Sequence, residues 1–139
     1  MNYWIFQTTP ERYDLRKELK EGKEVIWHVT RYRSRMDSGD LVFFWLAGPE
    51  EMRGIYGWGK LLSRPYRKPQ QKLYAVNIKV EGTLRHHLTV KRIREHPALE
   101  TLVILRAPQG TNFALTSKEG QVLEELVHQT KQRVPTAKR

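Results

Sequence analysis

The sequence predicts an α+β fold in which a small, strongly curved β-barrel is flanked by short helices and a C-terminal helix. Residues 41–47 form an apolar run without charge or chain breaker, which is typical of a strand covered on both faces. Residues 53–62 follow a Gly-Pro break as a second strand with glycines at 54, 57 and 59. Glycines on one face of a strand favour the sharp curvature that a small closed barrel needs. Simple alternation places Ile55 and Leu61 on the same face of this strand.

Before this pair of strands, the sequence predicts a strand, a helix and a further extended segment. Residues 3–7 form an aromatic-rich strand. Thr9 and Pro10 suit the start of a helix that is predicted to run to about Lys20, with Tyr13 among the candidates for its inner face. Residues 24–33 alternate as a short strand that leads into a basic loop.

After the central strands, residues 63–72 contain two prolines and four basic residues, which predicts an exposed loop. A strand over residues 73–81 is expected to end at Gly82, and Thr89 to cap a short helix over residues 90–95. Pro97 starts a stretch that combines helix and strand signals, and we expect a short helix there.

The last part of the chain is predicted to be a turn, a short extended piece and a long helix. The turn covers residues 107–110 and the extended piece residues 111–115. Thr116 and Glu119 form a capping box ahead of a helix with an apolar stripe.

The composition fits one soluble domain. The chain has 139 residues and no cysteine, so disulfides and thiolate metal sites are excluded. No apolar run is long enough to span a bilayer, and the N-terminus lacks the pattern of a signal peptide, so we expect a cytoplasmic monomer without membrane contact. We assign residues 1–134 to the domain and residues 135–139 to a disordered basic tail.

The charge is the most informative part of the composition. Lysine and arginine number 25 against 15 acidic residues, which gives a formal net charge of +10. Such a surplus is typical of a protein that binds nucleic acid, although an inert basic surface would produce the same count.

Motifs for catalysis or cofactor binding are missing from the sequence. It has no Gly-x-Ser-x-Gly motif, no phosphate-binding loop and no metal-ligand spacing among its five histidines. We therefore expect neither a cofactor nor a metal, and a binding protein in place of an enzyme.

Five segments in order resemble the EVE domain, a member of the PUA-like superfamily that is related to YTH domains. They are YWIFQ at 3–7, VIWHVTR at 25–31, GDLVFFWLAG at 39–48, GIYGWG at 54–59 and GTNFALT at 110–116. The resemblance implies a PUA-like barrel with an aromatic pocket that accepts a flipped, chemically modified base from DNA or RNA. Related PUA-like folds include nucleases, which leaves a hydrolase as a residual alternative.

The resemblance, together with the residue types, nominates a site. The base-pocket candidates are Gln7, Trp27, Trp45, Gly110, Thr111 and Asn112. Tyr66 or Tyr74 is a candidate for the remaining aromatic wall of the base pocket. The candidates for contacts to the nucleic-acid backbone are Arg31, Arg33, Arg35, Arg64, Arg67 and Lys68.

Several candidates have a structural alternative. Trp27 could be a stacking platform or a core residue, and the apolar run around Trp45 favours the core for that side chain. Asn112 could read a base edge or only tolerate a left-handed turn, while Asp40 is better explained by a turn than by base contact. At the level of function, the alternatives are an RNA-binding module without modified-base specificity and a small-molecule-binding barrel.

Overall fold

The computed structural model describes residues 1–133, so the tail assigned to residues 135–139 lies outside the described residues. The strands are β1 Tyr3–Thr8, β2 Glu24–Val29, β3 Leu41–Leu46, β4 Gly54–Leu61, β5 Tyr66–Arg67, β6 Tyr74–Thr89 and β7 Asn112–Leu115. The helices are α1 Leu15–Glu18, α2 Val90–Arg94, α3 Val103–Arg106 and α4 Ser117–Arg133, with 3-10 turns at Arg33–Arg35 and Pro97–Leu99. None of these helices is long and apolar enough to cross a bilayer.

All strands belong to one curved, mixed sheet. Its order is β2-β6-β4-β3-β1-β7, with β5 paired to β6, and the pairing of β1 with β3 is parallel. The ends of this path are β2 and β7, which no backbone ladder joins within the described chain. The α+β class predicted from the sequence is therefore confirmed.

The central strands are buried on both faces, as the apolar run over residues 41–47 predicts. Along β3, Val42, Phe44 and Leu46 belong to a core cluster that also holds Trp4, Phe6 and Trp27. The alternate residues, Leu41, Phe43 and Trp45, belong to a second cluster. This second cluster also includes the apolar stripe of α4, so the sheet separates an inner core from a core under the long helix.

Two expectations about the glycine-rich strand and its neighbour are wrong. The pairing of β4 with β6 shifts register between Ile55 and Gly57 and again between Trp58 and Gly59. These shifts break the alternation, so Ile55 and Leu61 lie in different core clusters. Gly82 does not end β6, because it lies inside the ladder against Trp58, where a Cβ would collide with the indole ring.

The helix expected over residues 9–20 is also wrong. Thr9 starts only one turn, in which its carbonyl accepts hydrogen bonds from the backbone N–H groups of Arg12 and Tyr13. A new start follows at Asp14, whose side chain accepts from Arg16 N at 3.1 Å and caps the single turn of α1. This interruption allows Tyr13 to turn toward Trp27, with the ring centroids 5.9 Å apart.

The remaining predictions concern the loop over residues 63–72, the stretch after Pro97 and two helix caps. The loop predicted over residues 63–72 contains the two-residue strand β5, which pairs with Tyr74 and Ala75 of β6. The ambiguous stretch after Pro97 forms a 3-10 turn and then α3. Both predicted caps are confirmed: Thr89 accepts from Arg92 N, and Thr116 and Glu119 exchange hydrogen bonds of 2.9 and 3.1 Å.

Asp40 joins the N-terminus to the turn before β3. Its buried carboxylate accepts hydrogen bonds of 3.0 Å from the backbone of Asn2, the backbone of Asp37 and the indole Nε1 of Trp4. The turn role expected for Asp40 is therefore the one that the structure displays. The carboxylate also orients a tryptophan that is completely buried in the inner core.

We expect Asp40→Ala to lower the free energy of unfolding by about 3 kcal/mol, because it leaves three donors unpaired, among them a buried indole N–H. Urea denaturation measures this change. Asp37→Ala is the matched control, since the Asp37 side chain accepts only from the adjacent Ser38 N at the surface. Equal stability of the two variants would contradict the role assigned to Asp40.

Candidate nucleic-acid interface

Two adjoining cavities form a cleft at the end of β1. The first, which we call the aromatic cavity, has a volume of about 410 Å³ and includes Tyr13 and Trp27 in its lining. The second, the turn cavity, has a volume of about 380 Å³ and includes Trp45 and residues of the turn before β7. The cavities share four lining residues, Gln7, Thr8, Arg12 and Thr111. Five of the six predicted pocket residues therefore border one continuous cleft.

Trp27 is both a core residue and a wall of the aromatic cavity. Its ring lies 5.5 Å from Phe44 and 6.1 Å from Phe6, measured between centroids, inside the inner core. Only 9% of the residue remains exposed. Tyr13 meets Trp27 nearly edge-on, at an interplanar angle of 77°, and lines the same cavity. Trp27 is therefore a core residue whose ring also borders the cavity, and its role as a stacking platform stays a prediction.

The missing aromatic wall comes from a part of the chain that the sequence did not nominate. Tyr66 donates its hydroxyl hydrogen bond to Asn77 Oδ1, and Tyr74 lies under the guanidinium of Arg33. Neither ring lines the aromatic cavity, where Tyr13 occupies that role. A continuous helix over residues 9–20 would set the direction of Tyr13 by helical periodicity alone. That expectation gives no reason for the Tyr13 ring to meet Trp27, so the sequence did not nominate Tyr13 for the cavity.

The wall of the turn cavity contains two donors that lack acceptors. Trp45 is almost completely buried, and its Nε1 has no hydrogen-bond partner within residues 1–133. Arg53 Nε is also buried and unpaired, while the Nη2 of the same guanidinium lies 3.7 Å from Glu50. Unpaired buried donors are unfavourable, so both atoms are candidates to donate to an acceptor that enters the turn cavity. Arg53 was not among the residues that the sequence nominated for the site.

Gln7 fixes the turn that separates the cavities. Its Nε2 donates hydrogen bonds of 2.8 Å to the carbonyls of Pro108 and Gly110, and its backbone N–H donates to Thr111 O. Two carbonyl partners require the amide nitrogen at this position, so the orientation of the side chain is unambiguous. Gly110 supports the turn with a φ of 114°, a conformation that favours glycine.

Asn112 lies beneath the cleft and is absent from the lining of both cavities. Its Oδ1 accepts from the backbone N–H of Thr30 at 2.9 Å and from the hydroxyl of Thr111 at 3.2 Å. Thr30 follows β2 and Asn112 begins β7, so this side chain joins the two ends of the sheet. The sequence offered two roles for Asn112, reading a base edge or occupying a left-handed turn. The structure shows neither arrangement, since Asn112 lies in β7 and does not present its edge to the cleft.

The predicted backbone-contact residues are exposed or half-buried but do not form a single cluster. Arg31 lies beside the turn, with Nη1 4.0 Å from the position that a Cβ on Gly110 would take. Arg33 and Pro65 border one open groove, where the guanidinium carbon of Arg33 lies 3.9 Å from the centroid of Tyr74. Arg35 lies farther from the cleft, close to Trp4 and Tyr32. Arg64, Arg67 and Lys68 belong to the segment that leads into and through β5.

Arg12 is a second cationic residue that the sequence did not nominate for the site. It is exposed and lines both cavities, which places a permanent positive charge at the centre of the cleft. No group of histidine and acidic side chains suited to holding a metal ion occurs within the described part of the chain. The lining of the cleft instead combines aromatic rings, hydroxyls, an amide and arginines.

We expect Gln7→Glu to destabilise the protein by about 2–3 kcal/mol at pH 7, because an ionised carboxylate cannot donate to the two carbonyls of the turn. Thermal denaturation gives the stability, and amide hydrogen exchange at Gly110 and Thr111 reports the release of the turn. Gln121→Glu, at an exposed position of α4, makes the same charge change as a control. Unaltered exchange in Gln7→Glu would show that these bonds do not hold the turn.

Comparison with known proteins places this geometry in a family. A hypothetical protein of Leishmania major superposes with a TM-score of 0.74 at 18% identity, over 96% of this chain and 98% of its own. Rpa0253 of Rhodopseudomonas palustris gives a TM-score of 0.72 at 19% identity, over 96% and 95% of the two chains. Human THYN1 in complex with DNA that contains 5-methylcytosine gives 0.70 at 15% identity, over 91% and 97%. These likenesses confirm the PUA-like α+β fold.

No curated protein sequence matches this chain. The model of the EVE domain family, in contrast, matches residues 2–126, which include every strand and most of α4. The chain therefore belongs to the EVE domain family.

Proposed function

We propose that this protein binds nucleic acid and captures an extruded, chemically modified base in the aromatic cavity, without turning it over. The observation that carries the proposal is the pairing of Trp27 and Tyr13 on the wall of a cavity of about 410 Å³. This volume lies within the range of about 300–1,000 Å³ that is usual for small-ligand sites. Stacking of a base on an aromatic side chain contributes about 1–3 kcal/mol.

The polar groups of the cleft suit the recognition of a base edge. Gln7 uses its amide nitrogen on the turn, so its Oε1 is the atom left to accept a hydrogen bond. The hydroxyls of Thr8 and Thr111 lie on the same lining and can donate or accept. A ligand with an exocyclic amine could therefore pair with Gln7 while its ring contacts Trp27.

The distribution of charge supports a polyanionic partner. Arg12 and Arg31 lie at the cleft, and Arg33 borders the groove that Thr30 connects to the aromatic cavity. Phosphate contacts of this kind supply affinity that is independent of sequence, whereas the cavity would supply selectivity. Base extrusion is the established solution for proteins that must examine one base closely.

The structural neighbour from human supports the modified base in this proposal. THYN1 has been solved in complex with DNA that contains 5-methylcytosine, and it shares the fold of this chain at 15% identity. We therefore use 5-methylcytosine as the first probe of the cleft. The hydroxyls, amide, arginines and aromatic rings that line the cleft are groups that bind and orient a ligand, which supports a reader in place of an enzyme.

We expect Trp27→Phe to weaken binding of a 5-methylcytosine oligonucleotide by about 1 kcal/mol, because the smaller ring offers less stacking area. Phenylalanine retains contact with the inner core, whereas Trp27→Ala would itself destabilise the fold by about 3–5 kcal/mol. Trp58→Phe is the matched control, since Trp58 belongs to the other core cluster and lines neither cavity. Isothermal titration compares the variants, and equal affinity of all three proteins would remove Trp27 from the site.

We expect affinity for a single-stranded oligonucleotide to fall as salt rises, and the double variant Arg33→Ala/Arg67→Ala to reduce the slope of the log–log plot by about 1.4. Each phosphate contact on a single strand contributes about 0.7 to that slope. Lys60→Ala/Lys118→Ala removes the same charge at the opposite end of the sheet and serves as the control. Binding that does not depend on salt would instead indicate a small uncharged ligand.

A further inference from the structure

Two large apolar side chains are exposed at the mouth of the aromatic cavity. Ile26 is 56% exposed and Leu73 is 43% exposed, and both line this cavity. Single exposed apolar residues are common on soluble proteins and need no explanation. Here two of them border the same opening.

The backbone holds both residues in place. Ile26 lies on β2 between the buried residues Val25 and Trp27, so the alternation of the strand directs it outward. Leu73 directly precedes β6, and its carbonyl accepts a hydrogen bond of 3.2 Å from Lys68 N across the loop between β5 and β6. The next residue, Tyr74, pairs with Val29 of β2, so Leu73 lies beside Thr30, four residues and about 13 Å along the strand from Ile26.

The surroundings of this apolar pair are positively charged. The segment over residues 63–72, which ends immediately before Leu73, contains four basic residues and no acidic residue. The described positions Arg64, Arg67 and Lys72 are exposed. An apolar protrusion flanked by cations complements a duplex, whose stacked bases are apolar and whose backbones are anionic.

We propose that Leu73 is an apolar wedge that enters the base stack of a duplex and fills the position vacated by the extruded base, while Ile26 contacts the same duplex farther along the mouth of the cavity. The wedge rests on the proposed function, because it presumes that a base enters the adjacent cavity. Removing a base from a duplex loses stacking and leaves a gap of several ångströms between its neighbours. Apolar side chains such as Leu and Ile are suited to occupying such a gap, since they replace the lost apolar contact and exclude water.

A wedge would contribute to the binding of a duplex but not to the binding of a single strand. A single strand has no complementary strand that holds the neighbouring bases apart when one base is extruded, so the wedge has no fixed gap to fill there. The contribution of Leu73 and Ile26 should therefore be confined to the duplex, whereas that of Trp27 should be common to both forms.

The test compares Leu73→Ala and Ile26→Ala with wild type on two probes, a duplex carrying one 5-methylcytosine and the same strand alone. Leu62→Ala is the control, because Leu62 is 44% exposed and lines none of the cavities that form the cleft. We expect Leu73→Ala to weaken duplex binding about tenfold through lost apolar burial, with single-strand binding within about twofold of wild type. We expect Ile26→Ala to act in the same direction and Leu62→Ala to alter neither affinity.

A fluorescent 2-aminopurine beside the modified base provides an independent readout. Its emission should rise when wild-type protein unstacks the duplex, and less with Leu73→Ala. Equal losses on both probes, or no loss on the duplex, would overturn the wedge while leaving base capture intact. A wild-type protein that binds the modified single strand but not the duplex would also overturn it, whereas binding to neither probe would overturn the proposed function and the wedge together.

Discussion

The hydrogen bond from Thr30 N to Asn112 Oδ1 closes the gap between the two ends of the sheet, and the cleft depends on it. β2 and β7 share no backbone ladder, so a side chain supplies the junction between them. On one side of the junction lies β2 with Trp27, and on the other lies the turn that Gln7 fixes to β1. The floor of the cleft is therefore made by two buried amides whose hydrogen bonds fix the distance between the aromatic cavity and the turn cavity. Buried amide contacts of this kind are favourable only when their partners are held in register, which the surrounding sheet ensures.

The same construction links binding to stability. Trp27 contributes one part of its ring to the inner core and another to the cavity wall. This part of the cavity wall is therefore as rigid as the core behind it. A platform that is already ordered loses little conformational entropy when a ligand binds. The exposed arginines differ from it in this respect, since they contact aromatic rings at the surface and not the inner core. Under the proposed function, selectivity and general affinity would belong to different parts of the molecule.

The sequence was informative where a local rule decides the structure. The uncharged run over residues 41–47 requires burial on both faces, and the capping box at Thr116 requires a helix start, so both were predictable. The rest depends on distant partners. Gly82 lies within β6 opposite Trp58, whose indole ring occupies the space that a Cβ would take, and the buried Asn112 accepts a hydrogen bond from the backbone N–H of Thr30. Neither contact is visible in a local pattern. The place of Tyr13 depended on a break in helical structure that only the cap at Asp14 reveals. Trp27 and Trp45 were nominated through family resemblance and Gln7 through its place at the end of the first strand, and the geometry brings the three to one cleft.

The central claim is that a modified base seats against Trp27, and the indole N–H resonances of the four tryptophans test it most directly. Two-dimensional NMR would follow these resonances, assigned through single Trp→Phe variants, during titration with oligonucleotides that differ only by the methyl group of one cytosine. We expect the 5-methylcytosine strand to shift the Trp27 resonance strongly, while the Trp4 resonance, whose N–H is donated to Asp40, stays in place. The unmodified strand should shift Trp27 far less at the same concentration. Identical shifts with both strands, or a Trp27 resonance that never moves while binding occurs, would contradict the account.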